Sequence, residues 1–202
     1  KSREVLNECV LDPNEITNDN LPFMGVLATK LKDGTPCRVV RISFSGELAF
    51  EMYIESDYAH GMMDLLWETS QKYDGCLYGL EALGALRVEK GHVTAAELDG
   101  RVTIDDAGLG KMASTKKSYI GSAMRKRGAL SEDDRETLVG FFPANQSDTF
   151  NAGTIVCEKN QITGQGIGRI TSVTHSPELG HWIGIGFVKG GLEKWKDTTL
   201  IG

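Results

Sequence analysis

Apolar and polar positions alternate most regularly between Val39 and Glu55. Val39 to Phe44 is a β-branched and aromatic run, Ser45-Gly46 is a turn pair, and Leu48, Phe50, Met52 and Ile54 recur with period two, which predicts a β-hairpin. Ser56-Asp57 is then placed to cap a helix reaching about Tyr73. Ala59, Met62, Met63, Leu66 and Tyr73 form its stripe, and Asp74-Gly75 is its stop. A second helix is expected from Gly79 to about Lys90, where Leu80, Leu83, Leu86 and Arg87 fall at helical intervals and Gly91 supplies a left-handed end. Residues 1–20 are polar and carry no strong period.

The pattern changes near residue 130. Leu130 to Arg135 reads as an exposed connector, and beyond it Leu138–Phe142, Thr154–Cys157, Gly166–Thr174 and Trp182–Val188 are short apolar runs punctuated by turn residues. Short strands without a comparable helical stripe predict an all-β module. The expected fold class is α+β: a truncated α+β domain over residues 1–130, followed by a small all-β barrel domain over 131–202.

Composition narrows the function. The 202 residues are 40% hydrophobic and 25% charged, the balance of a soluble globular chain. The net charge of −6 argues against nucleic acid or an anionic membrane as a chain-wide partner. No stretch approaches the roughly 18 apolar residues of a membrane helix. The start, Lys1-Ser2-Arg3-Glu4, has neither an initiator Met nor a signal core, so the chain is expected to be a portion of a longer polypeptide.

Cys9, Cys37, Cys76 and Cys157 include no C-x-x-C pair and are expected to be reduced thiols of a cytoplasmic protein. His60, His92, His175 and His181 form no H-x-x-x-H pair, and no metal is expected. Neither a G-x-S-x-G elbow nor a phosphate loop occurs. The run Gly164-Gln165-Gly166-Ile167-Gly168 lacks G-x-G-x-x-G spacing and is expected to be packed β-structure. The basic run Lys111 to Lys117 has two readings, a solvated edge or an anion site, of which the first is simpler.

A two-residue turn at Ser45-Gly46 would set Phe44 opposite Glu47, Ile42 opposite Ala49 and Val40 opposite Glu51 on one face. Glu51 then sits among Val40, Ala49 and an aromatic, where ionisation is costly without donors. Three partners are open: a flat heterocycle with adjacent N–H donors, a Lys or Arg of the chain, or solvent.

The segment Arg41-Ile42-Ser43-Phe44-Ser45-Gly46-Glu47-Leu48-Ala49-Phe50-Glu51 resembles the R-x-S-[YF]-[TS]-G-E-x-x-[FY]-E motif of the glycine-cleavage T-protein family of folate-dependent aminomethyltransferases. Gly79 to Gly91 is similar to that family's G-x-x-A-x-x-x-L-R-x-E-x-G helix. Ala107-Gly108-Leu109-Gly110 with Tyr119-Ile120-Gly121 forms a third block. Thr171 to Gly180 resembles the T-S-x-x-x-S-P-x-L-G element of the family's C-terminal barrel. Within the family, Tyr78-Gly79-Leu80-Glu81-Ala82, Asp99 to Asp106 and Val188-Lys189-Gly190-Gly191 look most like the folate-binding C-terminal part of the heterotetrameric sarcosine oxidase α subunit.

The resemblance implies tetrahydrofolate bound with its pterin against the hairpin, Glu51 accepting from the pyrimidine edge. Phe44 stands where T-proteins commonly have a Tyr, keeping the stacking surface without the hydroxyl. Leu83 stands where they have a folate-contacting Arg. Arg87 matches, and is either a structural ion-pair partner or a ligand contact. The expected cofactor-facing set is Glu51, Phe44, Glu47, Leu83 and Arg87.

The family's proton-accepting Asp lies upstream of the hairpin, outside this chain, so no catalytic residue is assigned. The resemblance also implies the other sarcosine oxidase subunits as partners, flavin and NAD elsewhere in the complex, and capture of a one-carbon unit as 5,10-methylenetetrahydrofolate. This fragment alone is expected to be inactive. The alternatives are an aminomethyltransferase or demethylase of the same family, or a non-catalytic folate-binding module.

Overall fold

The computed structural model describes residues 1–159 and 165–202, and the chain divides into two compact units, Lys1–Leu83 and Gly84–Gly202. In the first, three antiparallel strands, β1 (Val26–Lys30), β2 (Pro36–Val40) and β3 (Glu51–Tyr53), lie in the order β1-β2-β3. Helices α1 (Ser2–Cys9) and α2 (Ala59–Gln71) pack on one another. Strand alternation sends Cys37 and Val39 inward, and the core joins Val39 to Leu6, Val10, Ile16 and Leu21. Phe50 and Met52 pack against it, as the period-two pattern anticipated, whereas Leu48 of the same pattern is exposed. Full burial of an aliphatic side chain such as Val39 contributes about 1.5–3 kcal/mol.

Two local expectations, the cap and the stripe of α2, are corrected, and the stop at Asp74-Gly75 stands. Ser56–Tyr58 form a 3-10 turn, and no side chain caps the start of α2, so Ser56 and Asp57 do not act as its cap. The inward stripe of α2 runs through Met62, Leu65, Leu66 and Thr69 and continues to Tyr73, while Ala59 and Met63 are exposed. At the helix end Asp74, with φ 57°, takes the left-handed conformation. Gly75 donates its N–H to the Ser70 carbonyl at 2.9 Å, an approach that leaves no room for a Cβ.

The second unit begins in helix α3 (Leu80–Lys90), closed by Gly91 at φ 73°. An irregular stretch follows, and then a four-stranded antiparallel sheet in the order β4-β7-β6-β5. Its strands are β4 (Glu136–Phe141), β5 (Ile155–Val156), β6 (Gly168–Ser176) and β7 (His181–Lys189), one for each apolar run expected after residue 130. A short helix, α4 (Gly191–Trp195), follows β7. Of the glycine run before β6, Gly168 lies within the strand, as expected for packed β-structure, and Gly164 lies outside the described residues. Val88 of α3 packs with Ile183 and Ile185 of β7 and Leu138 of β4.

Two buried carboxylates organise this unit. Glu97, fully buried, takes the Arg87 guanidinium at 2.8 Å, the Thr94 N–H at 2.9 Å, and the Thr171 and Ser172 hydroxyls at 2.7 and 2.6 Å. A β-bulge between Ile170 and Ser172 lets these adjacent hydroxyls reach the same Oε1. Asp106 receives both Nε and Nη2 of Arg135, so the expected exposed connector ends in an anchored arginine. The second serine of the T-S-x-x-x-S-P-x-L-G element, Ser176, donates to Glu89 of α3 at 2.5 Å. Its oxygen accepts the Leu179 N–H in turn, at 3.1 Å.

Burial pushes the Glu97 and Asp106 carboxyls up. Hydrogen bonds from Ser172, Thr94 and Thr171 around Glu97, and from Arg135 and Thr103 around Asp106, together with the arginine charges, outweigh that and hold both below their ordinary values. A depressed carboxyl stabilises fully above its unfolded value, 4.5 for Glu and 3.8 for Asp, and the contribution is lost as pH falls through the folded value. The urea midpoint is therefore expected to hold from pH 7 to about 5 and to fall steeply below about 4.5. Glu97→Gln flattens that acid limb, and an unchanged limb in the variant refutes the assignment.

Candidate functional site

The hairpin presents its outer face through strand alternation. The ladder pairs Val26 with Val40 and Val40 with Glu51 in one row, and Ala28 with Arg38 and Arg38 with Tyr53 in the next. Glu51, Tyr53, Val26 and Arg38 are exposed there. The result is a carboxylate on a mixed sheet face that carries Val26 and Val40 in its own row and Arg38 and Tyr53 in the next. Tyr53 donates its O–H to Glu51 Oε2 at 2.5 Å, and that bond to the carboxylate raises the phenol above its ordinary value.

The Val40–Glu51 pairing is the one expected from the turn position, but the ladder stops there. Residues 41–50 form a loop, so Phe44 and Glu47 are not a strand pair. Arg41 keeps to the β1 side of β2, donating its N–H to the Gly25 carbonyl at 3.0 Å and accepting the Met24 N–H at 2.9 Å. Its guanidinium reaches Asn18 Oδ1 at 3.0 Å and the Leu21 carbonyl at 3.2 Å. At the tip the Gly46 N–H donates to Ser43 Oγ at 2.8 Å, and Gly46 sits at φ 102°, a turn only glycine makes without strain.

Phe44 is 39% exposed on this loop, and Glu47 is exposed beside it. Leu83 is half-buried in α3. Arg87 lies one turn further along α3, where Nη1 binds Glu97 and Nη2 binds the Ser172 hydroxyl at 2.7 Å. Its side chain is 12% exposed. Tyr53 is the site residue that sequence reasoning missed; it was legible as the position two residues beyond Glu51, hence on the same strand face. Glu97 gave no such signal, since its hydroxyl partners lie 74 and 75 residues away. Among the described residues no group of three or more His, Cys, Asp or Glu side chains is gathered as a metal site, and no helix is long and apolar enough to cross a membrane.

The mixed first unit and the curled antiparallel second unit are those of the glycine-cleavage T-protein family, to which the chain belongs. Residues 1–117 match the GCVT N-terminal domain, and residues 137–201 match the glycine cleavage T-protein C-terminal barrel domain. The chain is 34% identical to the sarcosine oxidase subunit alpha of Rhizobium meliloti (strain 1021), over 100% of its own length and 21% of that protein's. It is 30% identical to the mitochondrial aminomethyltransferase of Solanum tuberosum, over 89% of its length and 44% of that protein's. The solved structure of the glycine cleavage system aminomethyltransferase T from Bartonella henselae superposes with a TM-score of 0.71 at 21% identity, covering 89% of this chain and 48% of that one. The chain thus spans about a fifth of the sarcosine oxidase subunits it matches.

Proposed function

We propose that the outer face of the β2–β3 hairpin binds a reduced folate, with Glu51 as the acceptor for the pterin's adjacent N–H donors. The observation that carries this reading is a carboxylate standing exposed in one row with Val26 and Val40, beside the Phe44 loop, with Tyr53 as its only hydrogen-bonding side chain among the described residues. Tyr53 uses one lone pair of Oε2, which leaves both oxygens able to accept parallel N–H bonds. Val26 and Val40 offer the ring an apolar surface, and Phe44 a stacking edge. Leu83, in place of an arginine, leaves the rest of the ligand to be held by apolar contact rather than by a guanidinium.

The work of the whole protein is that of a sarcosine oxidase α subunit, an oxidoreductase acting on a CH–NH bond in complex with other subunits. Bound tetrahydrofolate supplies the nucleophilic amine that takes up the one-carbon unit as 5,10-methylenetetrahydrofolate. This chain's residues orient the folate and hold its ring edge. Arg87 serves the fold, because its guanidinium is shared between Glu97 and Ser172. Flavin and NAD belong to other parts of the assembly.

Glu51→Gln is expected to weaken tetrahydrofolate binding by roughly 1.5–3 kcal/mol, the scale of a charged hydrogen-bond acceptor. Isothermal titration of the wild-type and variant proteins measures it. Equal affinities remove Glu51 from the site.

A further inference from the structure

An open cleft of about 1140 Å³ lies within the second unit and is lined by none of the residues assigned to folate above. Its lining includes Lys116, Lys117 and Lys126, the hydroxyl residues Ser114, Thr115, Ser118 and Ser122, and the carboxylates Glu132, Asp133 and Glu193. Two further lining carboxylates are already neutralised. Asp105 is held by Arg125 through two bonds of 2.6 Å, and Asp106 by the fork from Arg135. Lys116, Lys117 and Lys126 form no ion pair among the described residues.

The sequence around them is unusual for an acidic chain: from Ala107 to Ser131 there are six lysines and arginines and no aspartate or glutamate. A merely solvated edge does not require those charges to be gathered at a cleft together with the hydroxyls of Ser114, Thr115, Ser118 and Ser122.

We infer that this cleft is a binding site for a small anion carrying two or more negative charges, held by Lys116, Lys117 and Lys126 with hydroxyl donors from Ser114–Ser122. Ammonium and hydroxyl groups both donate to phosphate or carboxylate oxygens, and a multiply charged anion can meet several of them at once. Glu132, Asp133 and Glu193 line the same cleft, so an extended polyanion filling it meets like charge, which favours a small anion.

Calorimetric titration of the protein with pyrophosphate and with citrate, at constant ionic strength, tests the inference. At least one anion is expected to bind, and Lys116→Ala/Lys117→Ala is expected to weaken it at least about tenfold, as befits the loss of charge-assisted hydrogen bonds. Lys30→Ala, an exposed lysine of β1, leaves the affinity unchanged. Pyrophosphate alone assigns a phosphate-bearing ligand, citrate alone a polycarboxylate, and both together a site read by charge. Binding of neither anion, or an equal loss in Lys30→Ala, overturns the site. The Glu51→Gln variant keeps its anion affinity, which separates this outcome from that of the folate reading.

Discussion

Glu97→Ala is expected to destabilise the second unit by about 3–5 kcal/mol, the cost of removing one partner from a buried ion pair. The deletion leaves the Arg87 guanidinium without its charge partner and removes the acceptor shared by the Thr171 and Ser172 hydroxyls. Thr171 keeps the Ile185 carbonyl and Arg87 keeps Ser172 and the His92 carbonyl, but the guanidinium charge is left unpaired in a nearly buried position, a penalty larger than the net worth of the lost bonds. Urea denaturation followed by tryptophan fluorescence reads the effect. A loss below about 1 kcal/mol, the worth of an ordinary surface pair, shows that Glu97 does not lock the unit. Glu97→Gln keeps one acceptor oxygen and turns the other into an NH2 donor facing donors, so its loss is smaller than that of alanine only by the bonds the remaining oxygen retains.

Gly186→Ala is expected to cost about 3 kcal/mol, the upper end of ordinary overpacking, because the obstruction is backbone. A Cβ there would stand 2.2 Å from the Arg169 carbonyl oxygen and 2.7 Å from the Ile170 Cα on the neighbouring strand. The strands must separate to admit it, which breaks the ladder on both sides of the bulge. Gly140, on β4 of the same sheet, is the control, its nearest obstacle being the Gly184 carbonyl at 4.0 Å. Alanine at Gly140 is expected to be neutral or to stabilise by up to about 1 kcal/mol, through a less mobile unfolded chain. Equal losses at both positions refute the steric account.

How much was legible in the sequence depended on how local each cause was. The four runs after residue 130 fall on four strands because each is a short apolar segment bounded by turn residues, and β7 is buried from Ile183 to Val188. The hairpin register, Val40 against Glu51, followed from the position of Ser45-Gly46 alone. The opening of its tip into a loop over residues 41–50 did not. Neither did the displaced stripe of α2. Thr69, polar by composition, is the residue the helix buries, and only its tertiary surroundings decide that.

Of the candidate site, Glu51 and Phe44 could be read from the motif, and Tyr53 from simple alternation. The role of Arg87 could not, since its choice of Glu97 and Ser172 depends on a chain reversal that no window of sequence contains.

The irregularity in β6 makes the alignment of the β6–β7 hairpin answerable to a residue outside it. A one-residue slip beyond Ile170 would exchange the faces of the residues that follow. It would carry the Thr171 and Ser172 hydroxyls away from the Glu97 carboxylate that accepts both, and the Thr171 hydroxyl away from the Ile185 carbonyl. The register of two neighbouring strands is thus tied to a carboxylate more than seventy residues earlier in the chain.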